Sequence, residues 1–169
     1  MNKDKQNRIT KFDELFKRYY NAMLGAALRI LKNERDAEDA VQQAGEALYK
    51  NIGKIPEVGD KGCYSFVILT VERKALNILK ARNRRRETPL EDITEKGVEL
   101  SAYDQDGALT QAIKGLPPRE RQAILLRFGM GYSVKETAKI MEMSYSATQS
   151  LLWRAKGQLE KILSEKGEL

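Results

Sequence analysis

The sequence predicts an all-α protein made of two small helical domains joined by a linker. Three observations predict it. Apolar residues recur at intervals of three and four along most of the chain, capping residues stand at the starts of those runs, and strand-like alternation is weak.

The first helix is read from "ITKFDELFKRYYNAMLGAALRILKN", where Phe12, Leu15, Phe16, Tyr19, Met23, Ala26, Ala27 and Ile30 share one face. Thr10 is placed to cap it, with Asp13 three residues on. Asn33 caps a second helix, "ERDAEDAVQQAGEALYKNI", and Glu34 and Asp36 suit the positive end of its dipole. "GKIPEVGDKG", residues 53–62, holds three glycines and a proline and reads as a loop. A long helix follows over about residues 64–86, with Val67, Ile68, Val71, Ala75, Leu76, Ile78 and Leu79 as its buried stripe. "TPLEDITEKGVELSAYDQDG" breaks the periodicity, starts near a proline and is acidic, so it is the linker.

Three short helical segments and one longer helix complete the chain. The first spans residues 108–115. "LPPRERQAILLRFGMG" begins with prolines suited to a first helical turn and stops at Gly129. "SVKETAKIM" opens with Ser133 and Glu136, an S-x-x-E capping box. The last helix covers about residues 144–163. The domain boundaries follow as 1–88, 89–107 and 108–169.

The absences are informative. The chain has no histidine, so Ser-His and Cys-His catalysis and His-based zinc sites are excluded. No phosphate loop or dinucleotide fingerprint is present, and neither enzyme activity nor a cofactor or metal is expected. No run reaches the roughly 20 apolar residues of a membrane helix. The N-terminus lacks an apolar export core, and a single cysteine, Cys63, fits a reducing cytoplasm. No clean heptad or other dimerisation segment is visible, so the free protein is expected to be a monomer.

Net charge is +6 and unevenly placed. Residues 1–88 carry 19 basic and 12 acidic side chains, residues 89–107 carry 1 and 6, and residues 108–169 carry 10 and 6. Two basic modules on an acidic tether point towards nucleic acid.

In the second module the spacing predicts a helix-turn-helix. Ala138 is the small residue where two helices cross, and the turn falls four residues later at Glu142. Glycine is common there because the backbone favours positive φ; a non-glycine residue costs roughly 1 kcal/mol. Met143 is placed to plug the core, with Thr148, Leu151 and Leu152 packing inward. That leaves Ser144, Tyr145, Ser146, Gln149, Ser150 and Trp153 facing a major groove. Phosphate contacts fall to Lys135, Arg154 and Lys156, with Arg119 and Arg121 as further candidates. So lightly charged a module is expected to bind DNA poorly alone.

In the first module "ERKALNILKARNRRRE" gathers Arg73, Lys74, Lys80, Arg82, Arg84, Arg85 and Arg86, with Asn77 on the same polar stripe. The bland reading is a solvated helix end; the functional one is phosphate contact. Tyr64 and Phe66, just before it, could stack on unpaired bases or simply pack. "ERDAEDAVQQAGEALYK" sets Glu38, Gln42 and Glu46 at i, i+4 and i+8, with Asp39 and Gln43 beside them, a docking face for a basic partner helix or a solvated face.

Taken together, the chain resembles small bacterial sigma factors of the extracytoplasmic-function group, over about 150 of its 169 residues. "DAEDAVQQA" resembles the family's core-binding motif DAEDxVQExF. "SFVILTVERKALNILKARNRR" resembles its minus-ten helix, and the segment from "LPPRERQ" to "RAKGQL" its minus-thirty-five region. The resemblance implies binding to core RNA polymerase through Asp36, Glu38, Asp39, Gln42, Gln43 and Glu46. It implies minus-ten contacts from Tyr64, Arg73, Asn77, Lys80, Arg82, Arg84 and Arg85, with a base flipped towards the 53–62 loop. It implies minus-thirty-five contacts from Lys135, Ser144, Tyr145, Ser146, Gln149, Ser150, Trp153, Arg154 and Lys156. Promoter DNA, core polymerase and an anti-sigma factor are the implied partners, and the protein itself is not an enzyme.

Two departures stand out. Gly45 stands where the family motif ends in Phe, at a helix-interior cost of about 1 kcal/mol against Ala, and is expected to loosen the docking face. "ATQSLLWRA" replaces a family pattern like TVKSRLSRA, with Gln149 and Leu151 at two basic positions. A stand-alone helix-turn-helix regulator and a sigma-like adaptor without promoter recognition are the competing readings.

Overall fold

The structure, a computed structural model, describes residues 2–86 and 107–167. The linker read at residues 89–107 therefore lies outside the described residues, save Gly107. Every regular element among the described residues is helical, and the chain forms two compact units.

The first unit is a three-helix bundle of α1 (Lys3–Leu31), α2 (Glu34–Lys50) and α3 (Lys61–Arg86), each packed on the other two, with a single 3-10 turn at Ile52–Lys54. Helix α1 starts two turns earlier than Thr10 predicts. Asn2 caps it, and Thr10 instead returns its hydroxyl to the Gln6 carbonyl at 3.0 Å. Without apolar residues, the segment before Ile9 gives no periodic signal, yet it continues the helix on favourable backbone bonds. The α1–α2 corner takes two residues. Lys32, at φ 55°, closes α1 as a left-handed cap, and Asn33 caps α2 by accepting from the Asp36 amide at 2.9 Å.

Helix α3 departs most from expectation. It begins at Lys61, so Tyr64 and Phe66 lie inside it. From Ser65 to Arg73 every residue is buried, because α1 and α2 cover it from both sides. A helix buried all round shows no stripe. Its buried hydroxyls bond their own backbone, Ser65 to the Lys61 carbonyl at 3.0 Å and Thr70 to the Phe66 carbonyl at 2.7 Å. Leu76, Ile78 and Leu79, read as part of the buried stripe, are only half-buried, since they lie beyond this covered section.

Gly45 is explained by packing. A Cβ there would meet the Phe16 ring at 3.1 Å. Gly45 is buried against α1, and the ring of Phe16 takes the space a larger residue would fill.

In the second unit, α4 (Ala108–Lys114), α5 (Pro118–Ile124) and α6 (Val134–Ile140) all pack on α7 (Tyr145–Glu165). The segment after α5 continues to Gly129 as one π turn, Leu125–Gly129, in place of plain α-helix. The predicted capping box forms: Ser133 Oγ accepts from the Glu136 amide at 3.1 Å, and Glu136 accepts from the Ser133 amide at 2.9 Å.

Candidate functional site

Three exposed helix faces contain the residues singled out by sequence. On α2, Ala37, Ala40, Val41, Ala44, Ala47 and Leu48 turn inward. Glu38, Asp39, Gln42 and Glu46 are thereby held outward and exposed, with Gln43 half-buried beside them. Their one hydrogen bond among the described residues runs from the Gln43 amide to Asp39 at 3.4 Å. The face is a row of carboxylates and amides supported by small, tightly packed residues.

Asp36 does not belong to that row. It is half-buried and accepts from Arg82 Nη1 at 2.9 Å, and both terminal nitrogens of Arg82 also approach the Leu31 carbonyl at 3.4 Å. Arg82, expected to face a phosphate, is half-buried and turned to these acceptors at the α1–α2 corner. Arg73 is likewise buried, at 7% exposure, because it falls on the all-round buried section of α3. Tyr64 is half-buried and packs edge-on against Tyr19 at 5.7 Å, and Phe66 is core. Of the expected minus-ten set, Asn77, Arg84 and Arg85 are exposed and Lys80 is half-exposed; these residues form the outward stripe at the C-terminal end of α3.

The loop beside this helix is shorter than predicted, because the 3-10 turn and the start of α3 claim its ends. It is tied to α1 at two points. Lys11 donates to the Ile55 carbonyl at 2.6 Å and pairs with Glu57 at 3.3 Å, and the Gly59 amide donates to the Tyr19 hydroxyl at 3.1 Å. Gly59 has φ 103°, which requires glycine. Next to these bonds, burial pushes the Cys63 thiol above its ordinary value, against the opposing pull of the Lys11 ammonium and the Tyr19 hydroxyl.

The third face is the helix-turn-helix of α6 and α7. Ala138 is buried at the crossing, and Glu142 adopts φ 56° in the turn. Thr148, Leu151 and Leu152 are buried. Met141, not Met143, fills the core at the turn; Met143 is half-buried. Ser144 caps α7 by accepting from the Ala147 amide, which orients the first turn outward. Ser144, Tyr145, Ser146, Gln149, Ser150, Trp153, Arg154 and Lys156 are all exposed, Trp153 at 78%, and so is Lys135 on α6. Gln149 donates to the Tyr145 hydroxyl at 3.3 Å. Leu151 stands where the resembling pattern has a basic residue, yet here it is core, so of the two replaced basic positions only 149 lies on the outward face.

One cation on this unit, Arg121, behaves differently from expectation, and two others gather at an exposed ring. Arg121 is buried and donates to the Lys114 carbonyl at 3.1 Å, bracing α4 on α5 instead of reaching a phosphate. Lys156 sits over the ring of Phe128 at 5.6 Å, and Arg127 over the same ring at 5.2 Å. Sequence reading missed Phe128, which is 55% exposed at the end of the π turn; only an apolar residue before a helix-ending glycine hinted at it.

Comparison with known proteins follows the same division. The family model described as Sigma-70 region 2 matches residues 15–86, and that described as Sigma-70, region 4 matches residues 106–159. The chain is similar to the RNA polymerase sigma-H factor of Pseudomonas aeruginosa, 27% identical, with 90% of this chain and 86% of that protein covered. It is 25% identical to the ECF RNA polymerase sigma factor SigM of Mycobacterium tuberculosis, over 90% of this chain and 76% of SigM. It is also 25% identical to the RNA polymerase sigma-E factor of Streptomyces avermitilis, over 94% and 88% of the two chains. With both sigma regions matched in order on two separate helical units, the chain belongs to the sigma-70 family, in its extracytoplasmic-function group.

Proposed function

We propose that this sigma factor engages core RNA polymerase through the outward face of α2 and promoter DNA through α3 and α7. Residues 1–88 form the polymerase- and minus-ten-binding domain, residues 89–107 the tether and residues 108–169 the minus-thirty-five domain. The observation that carries this reading is the α2 face. Glu38, Asp39, Gln42 and Glu46 are exposed in a row, in a protein whose net charge is +6. Such a row suits a basic helical partner and gives nothing to a phosphate.

On DNA, Arg84, Arg85 and Lys80 contact the minus-ten backbone beside Asn77. Gln149, Tyr145 and Trp153 meet base edges at the minus-thirty-five element, where Gln suits adenine and an apolar ring suits the thymine methyl. Lys135, Arg154 and Lys156 hold the flanking phosphates. Polymerase performs the chemistry, so the chain supplies binding and no catalytic step. It acts in the cytoplasm as a monomer until it joins core, and an anti-sigma factor would compete for these same faces. No helix among the described residues is long and apolar enough to cross a membrane.

Size-exclusion chromatography with core RNA polymerase tests the assignment. Co-elution is expected, and Asp39→Ala combined with Gln42→Arg is expected to abolish it while the free variant stays folded. Undiminished co-elution of that variant would remove α2 as the docking face.

A further inference from the structure

We propose that Arg82 is a positioning residue and not a DNA contact: it pins the α1–α2 corner to α3 and so sets the polymerase-facing helix against the DNA-facing helix. The proposal rests on the assignment of α2 and α3 above. One guanidinium serves two acceptors on two different elements. Nη1 donates to Asp36 Oδ2 at 2.9 Å, and Nη1 and Nη2 approach the Leu31 carbonyl at 3.4 Å.

Both acceptors sit at helix ends. Leu31 is the last residue of α1, and its carbonyl has no further turn of helix to bond. Asp36 is in the first turn of α2, where its own amide is already taken by the Asn33 cap. Arg82 therefore closes a three-way junction. Only two residues, Lys32 and Asn33, separate α1 from α2 there, and Lys32 already holds a left-handed backbone.

The pairing is partly shielded, with side-chain exposures of 27% for Arg82 and 33% for Asp36, which makes it stronger than a surface ion pair and costly to leave half-made. Arg84 and Arg85, two and three residues later, are exposed. Within a run that reads as uniform in sequence, Arg82 thus turns to an internal partner while Arg84 and Arg85 face solvent. A change at Arg82 should be felt at the outward row of α2, which begins one half-turn beyond Asp36 at Glu38.

The test uses the full-length chain and its Arg82→Ala, Arg82→Lys, Asp36→Asn and Arg84→Ala variants. Affinity for core RNA polymerase is measured by fluorescence anisotropy at a temperature where circular dichroism shows every variant fully helical, so that a purely stabilising role would leave it unmoved. Promoter binding is then followed at saturating core across a salt series. Arg82→Ala should weaken core binding about tenfold, within the range of coupling between contacting groups, and leave the salt slope at the wild-type value. Asp36→Asn should match it within about twofold, and a variant combining Arg82→Ala with Asp36→Asn should be no weaker than either single one. Arg82→Lys should recover little, because a single ammonium lacks the fork that spans both acceptors. Arg84→Ala should do the opposite: unchanged core affinity and a salt slope shallower by about one.

Wild-type core affinity with a shallower slope in Arg82→Ala, restored by Arg82→Lys, would overturn the proposal and return Arg82 to the phosphate contacts. Should Arg82→Ala not fold, wild-type core affinity in Asp36→Asn overturns it equally. A wild-type chain that fails to bind core would instead sink the assignment of α2 and this proposal with it.

Discussion

Helices α3 and α7 are both assigned to DNA, and they solve the problem in opposite ways. Helix α3 carries the charges, yet its midsection is core, Arg73 is buried and Arg82 is paired with Asp36. Helix α7 turns Tyr145, Ser146, Gln149, Ser150 and Trp153 outward but has no cation before Arg154. The contrast teaches that a count of basic residues measures neither how much charge reaches solvent nor how well a helix can read bases. Charge at the end of α3 suits backbone holding, and the amide and rings of α7 suit base edges.

The contrast is broken most severely by truncating one large aromatic on each helix. Phe66→Ala should destabilise the first unit by about 3–5 kcal/mol, because Phe66 is 1% exposed and the hole it leaves is in the centre of the bundle. Trp153→Ala should change stability by no more than about 0.5 kcal/mol while weakening minus-thirty-five binding. Urea melts of the two variants check the pair; a stability loss at Trp153 would mean that α7 hides contacts.

Next in size is the close approach at Gly45. Restoring the family's residue with Gly45→Phe should cost about 1–3 kcal/mol or more through overpacking against Phe16. Combining it with Phe16→Ala should recover most of that loss. Thermal melts of the single and double variants decide whether the two rings exchange places.

A third experiment sharpens the distinction between holding and reading. Arg85→Ala should make the salt slope of promoter binding shallower by about one, whatever the sequence. Gln149→Ala should leave the slope alone and relax preference at one base pair by about 1–3 kcal/mol. The measurement is a salt series on a wild-type promoter and on single-base variants of its minus-thirty-five element.

Two smaller effects follow from local geometry. Glu142→Gly should stabilise the second unit by about 1 kcal/mol, since Glu142 holds φ 56° where glycine has no steric penalty. The first unit should lose stability in alkali. The folded Cys63 pKa is raised above 9.0 by burial, so its contribution is fully present below pH 9.0 and is lost as the pH rises beyond it. Wild type should therefore lose more melting temperature above pH 9.0 than Cys63→Ala does.

Much of this was legible in the chain. The caps at Asn33 and Ser133, the helix-turn-helix crossing at Ala138, the strained turn at Glu142 and the outward faces of α2 and α7 all follow from local spacing. Local rules succeed there because each feature depends on residues within one or two turns of each other. The misses share a different cause. Thr10 reads as a cap because nothing apolar precedes it, and Met143 reads as the plug because the next layer of packing is invisible in one dimension.

Sequence by itself determined the helices, their order, the two basic modules and the row of acidic and amide residues on α2, because amphipathic periodicity and capping are short-range properties of the chain. Only the tertiary structure decided which members of a charged run are available. Arg73 and Arg121 are buried, Arg82 holds Asp36, and Gly45 makes room for Phe16. Each of these outcomes is set by a neighbouring helix, because burial belongs to the partner helix as much as to the helix that carries the residue.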